Sequence, residues 1–202
     1  MDSIYQRLPI AIASAALGFA AIAATPQSSH AVTLTPPVID QEFPVLGGLG
    51  AVLNGGFTYV GQTYTAGLTG TLIGVNVAVY SFENVSAPPL QVAIHEVIGG
   101  VPTSTVLGQT LFEPSTSYIT SFSEFLKFPT AIPQVSGEQY SIVVNYLDAP
   151  PLGEFLGQWI GSPNNDYLEG QNFFSNDLTN WKLSIGDLAF RTFVLPQELS
   201  CR

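Results

Sequence analysis

At 202 residues, with 46% hydrophobic and 10% charged side chains, the chain has the length and apolar content of one domain with a real core, outside the class of disordered chains. Fifteen acids against five bases give a net charge of -10, which repels a phosphate backbone and argues against nucleic acid as a partner. A single cysteine, Cys201, rules out an intramolecular disulfide and a cysteine-based zinc cluster.

The first element in chain order is apolar. Residues 8–24, LPIAIASAALGFAAIAA, carry no charge, follow Arg7 and the amino terminus, and precede the polar stretch TPQSSHA. This three-part layout predicts a signal peptide over residues 1–31, with the small-x-small site Ser29-His30-Ala31 preferred over Ala21-Ile22-Ala23 because Pro26 separates it from the apolar run. The alternative is an uncleaved N-terminal anchor, although a run of 17 residues interrupted by Pro9 is short of the roughly 20 a spanning helix needs. No second apolar stretch of that length follows, so the expectation is a secreted or periplasmic domain over 32–196 without a membrane span, ending in a short tail over 197–202.

Beyond the leader, runs rich in Val, Ile, Thr, Tyr and Phe alternate with turn clusters, and no dozen residues keep a helical period. Strands are predicted near 32–41, 57–66, 69–82, 90–98, 104–113, 117–129, 138–148, 155–161 and 186–195. Period two is clearest where Leu90, Val92 and Ile94 oppose Gln91, Ala93 and His95, and where Tyr140, Ile142, Val144 and Tyr146 oppose Gln139, Ser141, Val143 and Asn145. Each of these strands is expected to bury one face. Near the end, Leu188, Phe190 and Val194 oppose Asp187 and Arg191, with Phe193 misplaced on the polar side. Pro36-Pro37, Gly55-Gly56, Pro88-Pro89, Gly99-Gly100, Ser136-Gly137 and Pro150-Pro151 supply turns. Eight or nine short strands at this spacing bury their faces by forming two packed sheets, so the predicted fold is all-β, a jelly-roll-like antiparallel β-sandwich.

The segment 162–186 is rich in Asn, Asp, Gly and aromatics and reads as a long loop. A sugar ring stacks its apolar face on an aromatic side chain while amides and carboxylates bind its hydroxyls, which makes Trp159, Asn165, Asp166, Tyr167 and Trp181 candidate ligand-binding residues for a polysaccharide or envelope component. The competing reading places both tryptophans in the end of the core. Asp166, Glu169 and Asp177 are candidate ligands for a structural calcium ion, without the alternate spacing of an EF-hand loop. No other cofactor is implied. Glu138, Asp148, Glu154, Asp166 and Glu169 could supply an acid pair for glycoside hydrolysis, but no spacing singles out a pair. His95-Glu96 lacks the second histidine of a zinc protease motif, and alternation assigns His95 to the polar face as an ordinary surface histidine. No nucleophile elbow, Walker loop or dinucleotide fingerprint occurs, so no catalytic residue is assigned.

Several segments carry a resemblance by their order: Gly61-Gln62-Thr63-Tyr64-Thr65-Ala66-Gly67, Leu72-Ile73-Gly74-Val75, Gly99-Gly100-Val101-Pro102, Ser136-Gly137-Glu138-Gln139-Tyr140, Asp166-Tyr167-Leu168-Glu169-Gly170, Trp181 and Asp187-Leu188-Ala189-Phe190-Arg191-Thr192. From Asp40 to Val194 the chain resembles exported bacterial β-sandwich domains of the choice-of-anchor type, most like the one labelled R, which often precede a PEP-CTERM sorting tail. The resemblance implies export, a sandwich fold and a structural or adhesive role, and brings no catalytic residues. It also implies a Pro-rich sorting signal, an apolar helix and a basic end, which the residues Leu195 to Arg202 do not carry. Leu195-Pro196-Gln197-Glu198 does not match a sortase pattern.

Overall fold

A computed structural model describes residues 35–45, 48, 50–54, 58–82, 88–114, 122–148 and 155–197. The leader and its cleavage site, Gly55-Gly56, Pro150-Pro151, Glu154 and Cys201 lie outside them. In chain order the strands are β1 (Val38–Phe43), β2 (Ala51–Asn54), β3 (Tyr59–Thr65), β4 (Gly70–Val77), β5 (Val79–Ser81), β6 (Leu90–Ile98), β7 (Val101–Phe112) and β8 (Leu126–Gln134). There follow β9 (Gln139–Tyr146), β10 (Phe155–Trp159), β11 (Gly161–Ser162), β12 (Asn172–Ser175), β13 (Lys182–Leu183), β14 (Asp187–Leu188) and β15 (Phe190–Pro196). Among the described residues there is no helix, and none long and apolar enough to cross a membrane.

The fold is all-β and antiparallel throughout, as the alternation predicts. One sheet has the order β13-β12-β3-β9-β6-β7 and the other β1-β15-β4-β8, with a three-stranded β2-β10-β5 sheet and a two-stranded β11-β14 ladder continuing the second. Tyr64 of β3, Val92 and Ile94 of β6, and Ile142 and Val144 of β9, all even-numbered, share one core with Leu72, Val75, Phe190 and Val194 from the facing sheet. The rings of Tyr64 and Phe190 meet across that core at 5.8 Å. Phe193, the residue that breaks the polar side of β15, packs edge-on against Phe125 at 5.1 Å instead of facing water.

Three departures have physical causes. The run 69–82 is two strands, because β4 leaves β15 after Val77 pairs with Phe190 and β10 then enters the gap: Val79 pairs with Trp159, and Gly161 with Leu188. At the fork the Ile160 N–H donates to the Ala78 carbonyl and the Ala189 N–H to the Ile160 carbonyl, both at 2.8 Å. Chains approach so closely here that a Cβ on Gly161 would stand 1.8 Å from the Asp187 carbonyl oxygen. Of the strand expected at 117–129, residues 117–121 lie outside the described residues, 122–125 are not strand, and the strand present runs over Leu126–Gln134, with Pro129 and Pro133 inside it. It is the edge strand of its sheet, where a missing N–H is tolerated. Finally, the odd faces of β6 and β9 are buried as well: Ala93, His95, Ser141, Val143 and Asn145 are all shielded from solvent.

His95 is the clearest of these corrections. It is 3% exposed, because β7 bulges opposite Glu96, where the pairing jumps from Val106 to Pro102, and the Nδ1–H of the imidazole donates to the Thr103 carbonyl at 2.8 Å. Burial pushes its pKa down, outweighing that hydrogen bond. The unfolded chain therefore binds this proton more readily than the native one, and stability falls as pH drops below about 6.5 toward the lowered native value. Urea midpoints at pH 7.5 and 5.5 should show the loss in the wild type and a smaller one in His95→Gln; equal slopes in the two proteins would contradict it.

Candidate functional site

The segment 162–186 is a hairpin with an ordered approach rather than a loop. β12 adds to the edge of β3, Asn172 opposite Gln62 and Ser175 opposite Tyr59, and β13 pairs back onto β12. Before β12, Gln171 already behaves as a strand residue: its carbonyl accepts from the Thr63 N–H at 2.9 Å and its own N–H donates to Thr63 Oγ1 at 2.8 Å. The Thr65 hydroxyl donates to the Glu169 carbonyl at 3.0 Å. Gly186 closes the hairpin with φ +89°, where a Cβ would also stand 2.2 Å from the Ser162 carbonyl oxygen.

The candidate ligand-binding residues are dispersed. Trp159 has no solvent exposure; it belongs to the main core, and its indole N–H donates to the Ala189 carbonyl at 2.8 Å, so its ring offers no face to a sugar. The Tyr167 ring stands between Phe43 and Phe190 at centroid distances of 5.9 and 5.3 Å, its hydroxyl donating to Gln41 Oε1 at 3.2 Å. Asn165 Oδ1 accepts from the Gly186 N–H at 2.8 Å, and Asp166 Oδ2 from the Ser162 hydroxyl at 2.6 Å. Trp181 is half-buried on the outer face of the six-stranded sheet, where Gly61 leaves room for it: a Cβ on Gly61 would lie 3.4 Å from its ring. Its indole N–H donates to the Leu178 carbonyl at 3.1 Å, and Leu178 holds φ +61°, uncommon for a residue with a side chain. No shared aromatic platform results.

The three candidate calcium ligands are not brought together either. Among the described residues no three His, Cys, Asp or Glu side chains are placed to share an ion. Asp177 instead caps its own turn, with Oδ1 accepting from the Thr179 and Asn180 N–H groups at 2.9 and 2.8 Å and Oδ2 from Asn180 Nδ2 at 2.6 Å. These bonds hold its carboxyl well below the usual range. Leu168 beside Glu169 is 93% exposed.

Two polar groups at this end are buried: Gln62, to which the sequence pattern assigns no role, and Asp187, which alternation puts on the polar side of its strand. Gln62, in the middle of β3, is fully buried; its Oε1 accepts from the Leu188 N–H at 2.8 Å and its Nε2 donates to Asp187 Oδ1 at 3.3 Å. Asp187 is also buried, and its Oδ2 accepts from the Tyr167 N–H at 2.8 Å. Burial pushes the Asp187 carboxyl up, more than these donors pull it down. A Gln at the centre of an otherwise apolar inner face, Val60-x-Gln62-x-Tyr64, is the pattern that could have revealed the pair. A similar cluster ties β1 to β8: Gln134 Nε2 donates to Asp40 Oδ2 at 2.7 Å, and Tyr64 donates to Gln134 Oε1 at 3.2 Å. In comparisons with protein-family models and with curated proteins, nothing matches this chain.

Proposed function

We propose that this chain is an exported, non-catalytic β-sandwich serving as a structural or adhesive module at the cell envelope or outside the cell. One observation carries the reading: where the sequence gathers its aromatics and Asx residues, those groups are bound to the protein itself. Trp159 and Tyr167 fill the core, Asn165, Asp166 and Asp177 close local turns, and Gln62 and Asp187 anchor the approach to β12. Side chains spent in this way build a scaffold. Export rests on the uncharged run 8–24 and the small-x-small site before Val32, and the family resemblance points the same way.

The half-exposed ring of Trp181, held beside a strained Leu178, favours a second reading, a carbohydrate-binding module on the outer face of the sheet. Incubating the purified protein with a panel of soluble and insoluble polysaccharides, with and without calcium, separates the two. The scaffold reading expects no depletion and no new reducing ends. Depletion by one glycan that is lost in a folded Trp181→Ala variant would replace it with the lectin reading, and released reducing ends would replace it with a hydrolase. N-terminal sequencing of exported protein is expected to begin at Val32, and full-length protein retained in the cell would overturn the export part.

A further inference from the structure

Among the described residues, the edge strand β2 faces the inner side of β12. A cavity of about 330 Å³ lies there, walled by Val52, Val60, Phe155 and Phe174, with Asn172 and Ser184 among its lining residues. This volume is within the range of sites that hold small ligands, and the composition matches them too, mostly apolar with few polar groups. Its electrostatics are specific. Among the described residues that line it there is no Asp, Glu, Lys, Arg or His, so a charged guest would lose its hydration without a counter-charge from them.

Asn172 supplies the second observation. Its side chain is 3% exposed, and its Oδ1 is fully buried with no hydrogen-bond partner among the described residues. Its backbone is engaged, the carbonyl accepting from the Ser184 N–H at 2.8 Å, so the amide is held in place by strand pairing rather than by side-chain bonds. An unpartnered buried acceptor is costly, and nearly all such groups in folded proteins find a donor.

We propose that this cavity is a binding site for a neutral, mainly apolar small molecule bearing one hydroxyl or amide donor, which the Asn172 carboxamide receives. The site lies apart from Trp181 and does not depend on the scaffold reading. Three probes of one shape test it: 2-naphthol, which has the donor, naphthalene, which lacks it, and 2-naphthoate, which is charged. Titrations of the purified protein followed by probe fluorescence or calorimetry should show saturable binding of 2-naphthol, about tenfold weaker binding of naphthalene, and none of 2-naphthoate. Asn172→Ala should bring 2-naphthol to the level of naphthalene. Ser184→Trp, a plug at a position outside the strands, should abolish binding of both while the far-ultraviolet circular dichroism and Tm stay those of the wild type. Absence of saturable 2-naphthol binding would overturn the proposal, as would equal affinities for all three probes or binding unmoved by Ser184→Trp.

Discussion

Trp159→Ala should lower the stability of the protein by about 3–5 kcal/mol, a large part of the 5–15 kcal/mol typical of a whole domain. The ring is completely buried in the main core and sits where β10, paired with β5, leads into β11, paired with β14, so neighbouring backbone cannot collapse into the space it leaves. Its indole N–H also meets the Ala189 carbonyl, whose strand has just changed partners at the fork. Trp159→Phe separates the two effects: it restores much of the volume but leaves that carbonyl without the indole donor, at an expected cost of about 1–3 kcal/mol. Urea unfolding of the three proteins provides the comparison. A loss below about 1 kcal/mol in Trp159→Ala would mean that the fork is held by its backbone bonds alone.

The fork also marks the limit of what the amino-acid pattern discloses. Period two in β6 and β9 fixes their core-facing sides, and Leu90, Val92, Ile94, Ile142 and Val144 all lie where the alternation puts them. Alternation is a property of one strand, however, and cannot say which neighbour a strand has; the run 69–82 looks continuous because its break at Ala78 is made by β10, some eighty residues later. The same holds for Trp159, whose period-two position is compatible with a core or a surface until the fork is known. β8 runs on to Gln134 through Pro129 and Pro133, which the sheet accepts because β8 is an edge strand, a position that alternation within one strand does not disclose. β12 was missed because Asn172-Phe173-Phe174-Ser175 is four residues among Asn, Asp and Gly, and its stability comes from the free edge of β3 rather than from its own propensity. Its signal was the paired phenylalanines, a turn at Asn176-Asp177 and the returning Trp181-Lys182-Leu183. For the binding residues the limit is sharper, since a tryptophan beside Asx residues describes a sugar platform and a capped hairpin equally well.

Asp187→Ala should cost about 2–5 kcal/mol, with the damage concentrated in the approach to β12. The carboxylate is buried and joins two elements distant in sequence, accepting from Gln62 on β3 and from the Tyr167 N–H. Removing it leaves two donors without an acceptor, each worth about 1–3 kcal/mol when buried, and releases the Tyr167 ring from Phe43 and Phe190. No cation among the described residues pairs with it: the ion pair there joins Arg191 to Glu42, on β15 and β1. Burial therefore raises the pKa of Asp187, so the native state holds this proton to higher pH than the unfolded chain, and its contribution is lost as pH rises from about 3.8 through the raised value. Asp187→Asn retains an oxygen for the Tyr167 N–H and should cost less than Ala, although its amide faces the Gln62 amide donor to donor. Because Asn carries no titrating proton, its penalty relative to wild type should shrink as pH rises through that window. Urea midpoints between pH 4 and pH 7.5, with hydrogen exchange of residues 163–171, measure both effects; a penalty constant with pH, or exchange in 163–171 unchanged in Asp187→Ala, would show that this carboxylate does not hold the segment to β3.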